Sequence, residues 1–228
     1  MTAPCRLLIV EDEASVLEML TEYFVARGYA VTAAASGEKA LDAFTRERPD
    51  IVLLDIRMDG IDGVSVLKRL HQAAPDVSVI MVTANEDEAL ARDTLALGAF
   101  DYVAKPFDFE HLDRTVTAAL LYSARIPVPG APARAMPDDR WSLLVSDVFR
   151  VVRRMPSEGR ASTGVRLEDT VLVAAQYAIG GRLAEAAQSL TDLDFLVGVA
   201  SRLGDLSPAA RSVIDIALKT ARAGLPQP

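Results

Sequence analysis

The sequence predicts an α/β fold: a doubly wound, five-stranded parallel sheet of the flavodoxin-like type, followed by a smaller all-α domain. Three observations carry this expectation. Short aliphatic runs alternate with helical patterns five times over roughly the first 120 residues. The central run, Ile51-Val-Leu-Leu-Asp55, is apolar at four consecutive positions, as a strand buried on both faces requires. Beyond residue 138 the alternation stops and only helical spacing is left.

Each element has its own signal. Leu7–Val10 reads as a strand that runs straight into Glu11-Asp12-Glu13. A helix is predicted over residues 14–27, with Val16, Leu17, Leu20 and Phe24 on one face and Gly28 at a left-handed C-cap. Tyr29–Ala35 is the second strand. Ser36 caps a helix carrying Ala40, Leu41 and Phe44, and Pro49 stops the chain before strand three. Gly60 and Gly63 bracket a loop, and a helix follows over residues 64–73. Val77–Thr83 is strand four, residues 86–97 form a helix closed by Gly98, and Asp101–Lys105 is strand five. Pro106 separates it from a last helix over residues 108–123.

Composition narrows the function classes. No apolar run approaches the roughly 18 residues that span a bilayer. The N-terminal residues lack the pattern of a signal peptide, and the single Cys5 cannot form an internal disulfide, so a reducing cytoplasm is expected. The net charge of −8 sits in the first part of the chain. Residues 1–135 carry 13 Lys and Arg against 21 Asp and Glu, whereas the remainder is balanced. Neither part has the strongly basic character of an obvious nucleic-acid binder.

The predicted sheet gathers chemistry at one edge. In the strand order 2-1-3-4-5, strands one and three are neighbours at the switch point, which brings Glu11 and Asp12 to the same rim as Asp55. Clustered carboxylates repel unless a cation or proton intervenes, and a hard divalent ion such as Mg²⁺ suits them. Strand four adds the Thr83 hydroxyl and strand five the Lys105 ammonium. Acids, metal, hydroxyl and ammonium around one carboxylate make a phosphoryl-transfer site. His71 and His111 lie on helices outside this set and show no zinc-ligand spacing, so both read as structural or solvated.

Glu11-Asp12, Leu53-Leu-Asp-Ile-Arg-Met58, Val82-Thr-Ala84 and Gly98-Ala-Phe-Asp-Tyr-Val-Ala-Lys-Pro-Phe107 together resemble the receiver domain of bacterial two-component response regulators. The resemblance covers roughly residues 5–123. It implies that Asp55 accepts a phosphoryl group from a histidine kinase or phosphotransfer protein. Asp12 would bind Mg²⁺ directly, Glu11 through water, and the Arg57 backbone carbonyl would be a further ligand. Lys105 and Thr83 would each hold a phosphoryl oxygen. Tyr102 would swing inward as Thr83 moves, and the Lys105–Pro106 bond would be cis. The switched face, formed by helix four, strand five and helix five, is a candidate homodimer surface. Where the family usually has proline, four residues after the acceptor, this chain has Asp59, whose side chain is expected to face solvent.

These readings divide the chain into a receiver over residues 1–123, a Pro/Ala-rich linker over 124–138 and an all-α output domain over 139–228. In the output domain, Trp141, Leu144, Val145, Val148, Val152 and Met155 share one helical face. Further helices are expected at about residues 167–190, 192–203 and 207–223. No paired acids, metal triad or Gly-rich phosphate loop appears there, so no separate catalytic activity is expected. Two output classes stay open. A partner-binding or self-associating helical module is favoured, because the helices are neutral and amphipathic. The alternative is DNA binding through Arg150, Arg153, Arg154 and Arg211, with residues 199–213 as a divergent helix-turn-helix. Against it, Asp205 is an extra residue in the turn, and Arg211 sits where a buried aliphatic would be expected.

Overall fold

The computed structural model describes residues 4–75, 77–84, 88–123, 139–223 and 225. The chain divides into two compact units, Met1–Ser123 and Ala124–Pro228. The stretch 124–138 expected to be a linker lies outside the described residues.

In the first unit, β1 (Arg6–Val10), β2 (Ala30–Ala34), β3 (Ile51–Asp55), β4 (Ser78–Ala84) and β5 (Asp101–Lys105) form one parallel sheet. Their order is β2-β1-β3-β4-β5. The connections are α1 (Ala14–Ala26), α2 (Gly37–Glu47), α3 (Gly63–Ala73) and α4 (Glu88–Ala96), with α5 (Phe109–Ser123) after the last strand. Helices on both faces explain why Leu7–Val10, Ile51–Leu54 and Val79–Val82 are continuous aliphatic runs: nearly all of their side chains are excluded from solvent. Each such side chain contributes about 1.5–3 kcal/mol, so these three strands are the energetic centre of the unit.

Local chemistry fixes the helix ends. The Ser36 hydroxyl accepts the Lys39 N–H at the start of α2. Asp62 caps α3 by accepting the Ser65 N–H at 2.7 Å, which starts that helix at Gly63, one residue earlier than the spacing predicted. Gly63 must be a glycine because of space: a Cβ there would lie 2.0 Å from the Asp55 carbonyl oxygen. Close packing of α3 against the end of β3 depends on that missing atom.

Register then sets the rim. Val10 lies beside Leu54, so Glu11 leaves β1 next to Asp55. Asp55 pairs with Val82, Thr83 with Ala104, and Ala84 with Lys105. Since β2 and β3 lie on opposite sides of β1, the loops after β1 and β3 diverge and leave a crevice at the strands' carboxyl ends.

The second unit is helical: α6 (Asp139–Val152), a single turn α7 (Ser157–Gly159), a π-helical turn (Arg160–Gly164), α8 (Val165–Ile179), α9 (Leu183–Leu203) and α10 (Pro208–Arg222). Five of the six residues expected on one helical face lie on α6 and are buried with Phe149, and Met155, also buried, follows the helix's end at Val152. The breaks beyond it differ from the sequence expectation in one place. Residues 167–190 do not form one helix. α8 stops at Ile179, and α9 runs unbroken past residue 191. Gly181 takes a φ of +73°, and the Arg182 N–H returns to the Tyr177 carbonyl at 2.8 Å. Thr191 does not end a helix because its hydroxyl donates to the Ala187 carbonyl at 3.1 Å, inside the turn below.

The turn between α9 and α10 also has its reason. Gly204 adopts a φ of +83°, and the N–H groups of Asp205 and Leu206 return to the Ala200 carbonyl. Ser207 caps α10, and Pro208 occupies its first turn. Asp205, an extra residue by sequence, accepts the Thr163 hydroxyl at 2.7 Å. The turn is thereby tied to the π-helical segment.

Candidate functional site

Three acids meet at the crevice. One carboxylate oxygen from each of Glu11, Asp12 and Asp55 lies within 4.8 Å of the others. Glu11 is 1 % exposed and Asp55 is 5 % exposed, whereas Asp12 faces solvent. Two buried acids this close require a positive charge, and Lys105 supplies it from the end of β5. Its Nζ lies 2.6 Å from Glu11 Oε2 and donates to Asp55 Oδ2 at 2.9 Å.

The electrostatics follow from this arrangement. Burial pushes the Glu11 carboxyl up to about 7, and the Asp55 charge adds to the effect; the Lys105 hydrogen bond only partly offsets them. Burial alone would lower the Lys105 ammonium. The hydrogen bonds and charges of both carboxylates outweigh it and hold the ammonium above its ordinary value. Excess carboxylate oxygens beside one ammonium are a donor set suited to a hard, oxygen-preferring cation.

The β3–α3 loop closes over the acids. The Arg57 N–H donates to Asp55 Oδ1 at 3.2 Å, and the Asp59 N–H donates to Asp12 Oδ2 at 2.9 Å. The Gly63 N–H reaches the Ile56 carbonyl at 2.9 Å, which pins the loop's far end. Arg57, Met58 and Asp59 line a shallow cleft with Asp12, Asp62 and Lys68. One main-chain donor thus restrains the Asp55 carboxylate and another restrains Asp12, beside a cleft open to solvent.

This geometry has relatives. The family model for the response regulator receiver domain matches residues 7–117. The sporulation initiation phosphotransferase F of Bacillus subtilis is 39% identical over 107 residues, which cover 47% of this chain and 86% of that protein. The chain belongs to the response regulator receiver family. A putative response regulator from Chloroflexus aurantiacus, solved by crystallography, shares 38% identity at a TM-score of 0.50. The match covers 52% of this chain and 98% of that one. The DNA-binding transcriptional regulator NtrC of Klebsiella pneumoniae is 35% identical over 150 residues, 64% of this chain. The chain spans about a third of that relative, 32% of its length. The family model ends at residue 117, and the helical unit lies beyond it.

Around the receiver's acids, the other expected residues take distinct places. Thr83 is buried at the end of β4, and its hydroxyl donates to the Ala84 carbonyl at 3.0 Å, not to Asp55. Tyr102 is 9 % exposed and packs in the sheet's core cluster. Its hydroxyl is buried without a partner among the described residues. The Lys105–Pro106 peptide is cis. Sequence reasoning missed the Asp59 contact because it is made by the main chain; the side chain is exposed, as expected.

The arginines of the helical unit do not behave as one group. Arg150 pairs with Asp147 at 3.1 Å, and Arg160 turns its Nη2 onto the Arg153 carbonyl at 2.9 Å. Arg153 is half-buried and Arg154 exposed. Arg211 is half-buried and pairs with Asp215 on the same helix at 3.4 Å.

Proposed function

We propose that residues 1–123 are a phospho-accepting receiver, joined through a linker over 124–138 to an output domain over 139–228, in a cytoplasmic regulator. The observation that carries the proposal is the buried Asp55, held by Lys105 on one oxygen and by the Arg57 N–H on the other. The donor would be a phosphohistidine of a histidine kinase or phosphotransfer protein. Asp55 attacks phosphorus, the P–N bond breaks as the O–P bond forms, and the departing imidazole nitrogen keeps the electron pair and takes up a proton.

The site residues fit a bound Mg²⁺. Asp12, Asp55 and the Arg57 carbonyl would hold it directly, and Glu11 through water. Bound there, it supplies positive charge to the oxygens of the transferring group. Lys105 neutralises the acceptor's charge and is placed to follow a phosphoryl oxygen. On modification the carboxylate's single charge is replaced by up to about −2 on the phosphoryl group, a net gain of about −1, and Thr83 would turn to that new acceptor. Tyr102, already inward, would couple the change to the α4–β5–α5 face, where a homodimer could form.

The output is read as protein contact or self-association. Phe195 and Leu203 on α9 and Ile216 on α10 are 66 %, 66 % and 68 % exposed, apolar side chains that a partner surface would cover. A second reading, DNA binding, draws support from the short turn that joins α9 to α10, where the sequence resembles a divergent helix-turn-helix. Both are tested together. Acetyl phosphate with Mg²⁺ should add one phosphoryl group to the wild-type protein, read by intact mass, and none to Asp55→Asn; no incorporation into wild type overturns the receiver proposal. Genomic DNA is then offered to the beryllofluoride-treated protein across a salt series. No retention supports the protein-contact output, whereas discrete sequences retained with steep salt dependence would replace it.

A further inference from the structure

The Asp12 carboxylate stands on an exposed loop after β1, and nothing in that loop's own geometry obliges it to face two other acids. It is nevertheless within 4.8 Å of both Glu11 and Asp55. The contact that holds it comes from across the crevice: the main-chain N–H of Asp59, 2.9 Å from Asp12 Oδ2. The β3–α3 loop presenting this N–H is fixed at both ends. It begins at the Arg57 N–H on Asp55 and closes at the Gly63 N–H on the Ile56 carbonyl.

We infer that the main-chain N–H of Asp59 is a positioning group for a divalent cation: it holds Asp12 ready and lets three acids converge before the ion arrives. The inference rests on the Mg²⁺ site of the proposed function and adds a residue to it. An N–H donor on one oxygen of Asp12 offsets part of that carboxylate's charge, so repulsion from Glu11 and Asp55 is reduced. The second oxygen stays available to the cation. Donors behind a ligating carboxylate typically change metal affinity by 10–100-fold. The donor is a main-chain N–H, which every residue except proline carries. Asp59 therefore acts through its backbone, and its exposed side chain is a separate matter.

The test separates backbone from side chain in the full-length protein. Asp59→Ala and Asp59→Pro both remove the side-chain charge, and only Asp59→Pro removes the N–H. Titration with Mg²⁺ alone, followed by amide NMR, should give a dissociation constant about 10-fold weaker in Asp59→Pro than in Asp59→Ala. Equal constants overturn the inference. A second readout needs no metal. In Mg²⁺-free protein the residue-59 amide should be downfield and slow to exchange in wild type, and should lose both properties in Asp12→Ala. If they persist in Asp12→Ala, the N–H does not serve Asp12 and the inference is wrong. That readout also decides the matter if Asp59→Pro does not fold. Absence of Mg²⁺ binding by wild type together with a protected residue-59 amide would instead remove the cation reading and leave only the hydrogen bond.

Discussion

Glu11, Asp55 and Lys105 are buried around one another at the sheet's carboxyl edge, held by residues more than forty positions apart in sequence. In the helical unit, the buried hydroxyls of Ser146 and Thr163 donate to carbonyls of the turn below, those of Leu143 and Gly159, and Thr163 also reaches Asp205, 42 residues on. Its charges are mostly at the surface, in pairs such as Arg182–Glu185 and Arg211–Asp215 that contribute little to stability. The two units thus use their polar groups differently. The sheet unit concentrates opposing charges where they cost most. The helical unit buries the Glu168 carboxylate and a few hydroxyls in a core that is otherwise apolar, and it leaves Phe195, Leu203 and Ile216 largely exposed.

The strongest way to break this contrast is to remove the Lys105 cation from the buried cluster. Lys105→Met leaves Glu11 and Asp55 facing each other in a site of low exposure. Unfolding by urea at pH 8, followed by circular dichroism, should show a loss of about 3 kcal/mol, the lower end for an orphaned buried charge. The double variant Lys105→Met/Glu11→Gln should recover much of it. A harmless single variant would mean that the acids are not coupled, and the sheet unit would then resemble its neighbour.

Much of this site was legible in the sequence, and the reasons are physical. Parallel-sheet topology converts strand ends into neighbours, so Glu11, Asp12, Asp55, Thr83 and Lys105 could be collected at one rim from strand order alone. A contact such as Asp59 N–H to Asp12 has no side-chain signature, because every residue except proline carries that donor. The helical unit was less legible for a related reason. Helical spacing reports a buried face and says little about where a helix stops: it runs across the break at Gly180-Gly181 and points to one at residue 191 that α9 does not have. Asp205 looked like an error in a turn until Thr163, 42 residues earlier, supplied its partner.

Glu11 gives the contrast a pH signature. Its carboxyl is held near 7 in the fold against an ordinary value of 4.5, so the fold favours the protonated acid. The stability this contributes is present below about pH 4.5 and is lost as the pH rises through about 7. With divalent cations chelated, unfolding free energy should fall between pH 5 and 8 by up to about 3 kcal/mol, because each tenfold change in proton affinity is worth about 1.4 kcal/mol. Glu11→Gln should flatten that slope. His71 acts in the opposite sense: burial lowers its imidazole below 6.5, so its contribution is present above 6.5 and lost at lower pH. It is common to both proteins and cancels in their difference curve. An unchanged slope in Glu11→Gln would place the titration elsewhere.

In the helical unit the expected effects are smaller, because single contacts are local. Asp205→Ala removes the acceptor of the Thr163 hydroxyl, which keeps its bond to the Gly159 carbonyl. A loss of about 1–2 kcal/mol is expected in urea unfolding monitored through Trp141, which is buried on α6. Gly159→Ala sharpens the same point, since its new methyl would lie 2.4 Å from Asp205 Oδ1. The two variants together should cost less than their sum, because Asp205→Ala removes the atom that the methyl would meet.

The smallest effect is the most diagnostic of how α10 is built. Ser207 accepts the Ala210 N–H at 3.2 Å, and Pro208 follows with a φ already suited to a helix. Ser207→Ala should cost about 1 kcal/mol, the usual value for a lost N-cap. Ser207→Gly should cost only a few tenths, because glycine leaves the N–H groups open to water. A shared loss of about 3 kcal/mol or more, well beyond a cap's usual worth, would mean that Ser207 holds tertiary structure and not merely the first turn. In that case the α9–α10 connection is a rigid corner, and motion of α10 against α9 could not be part of any switch.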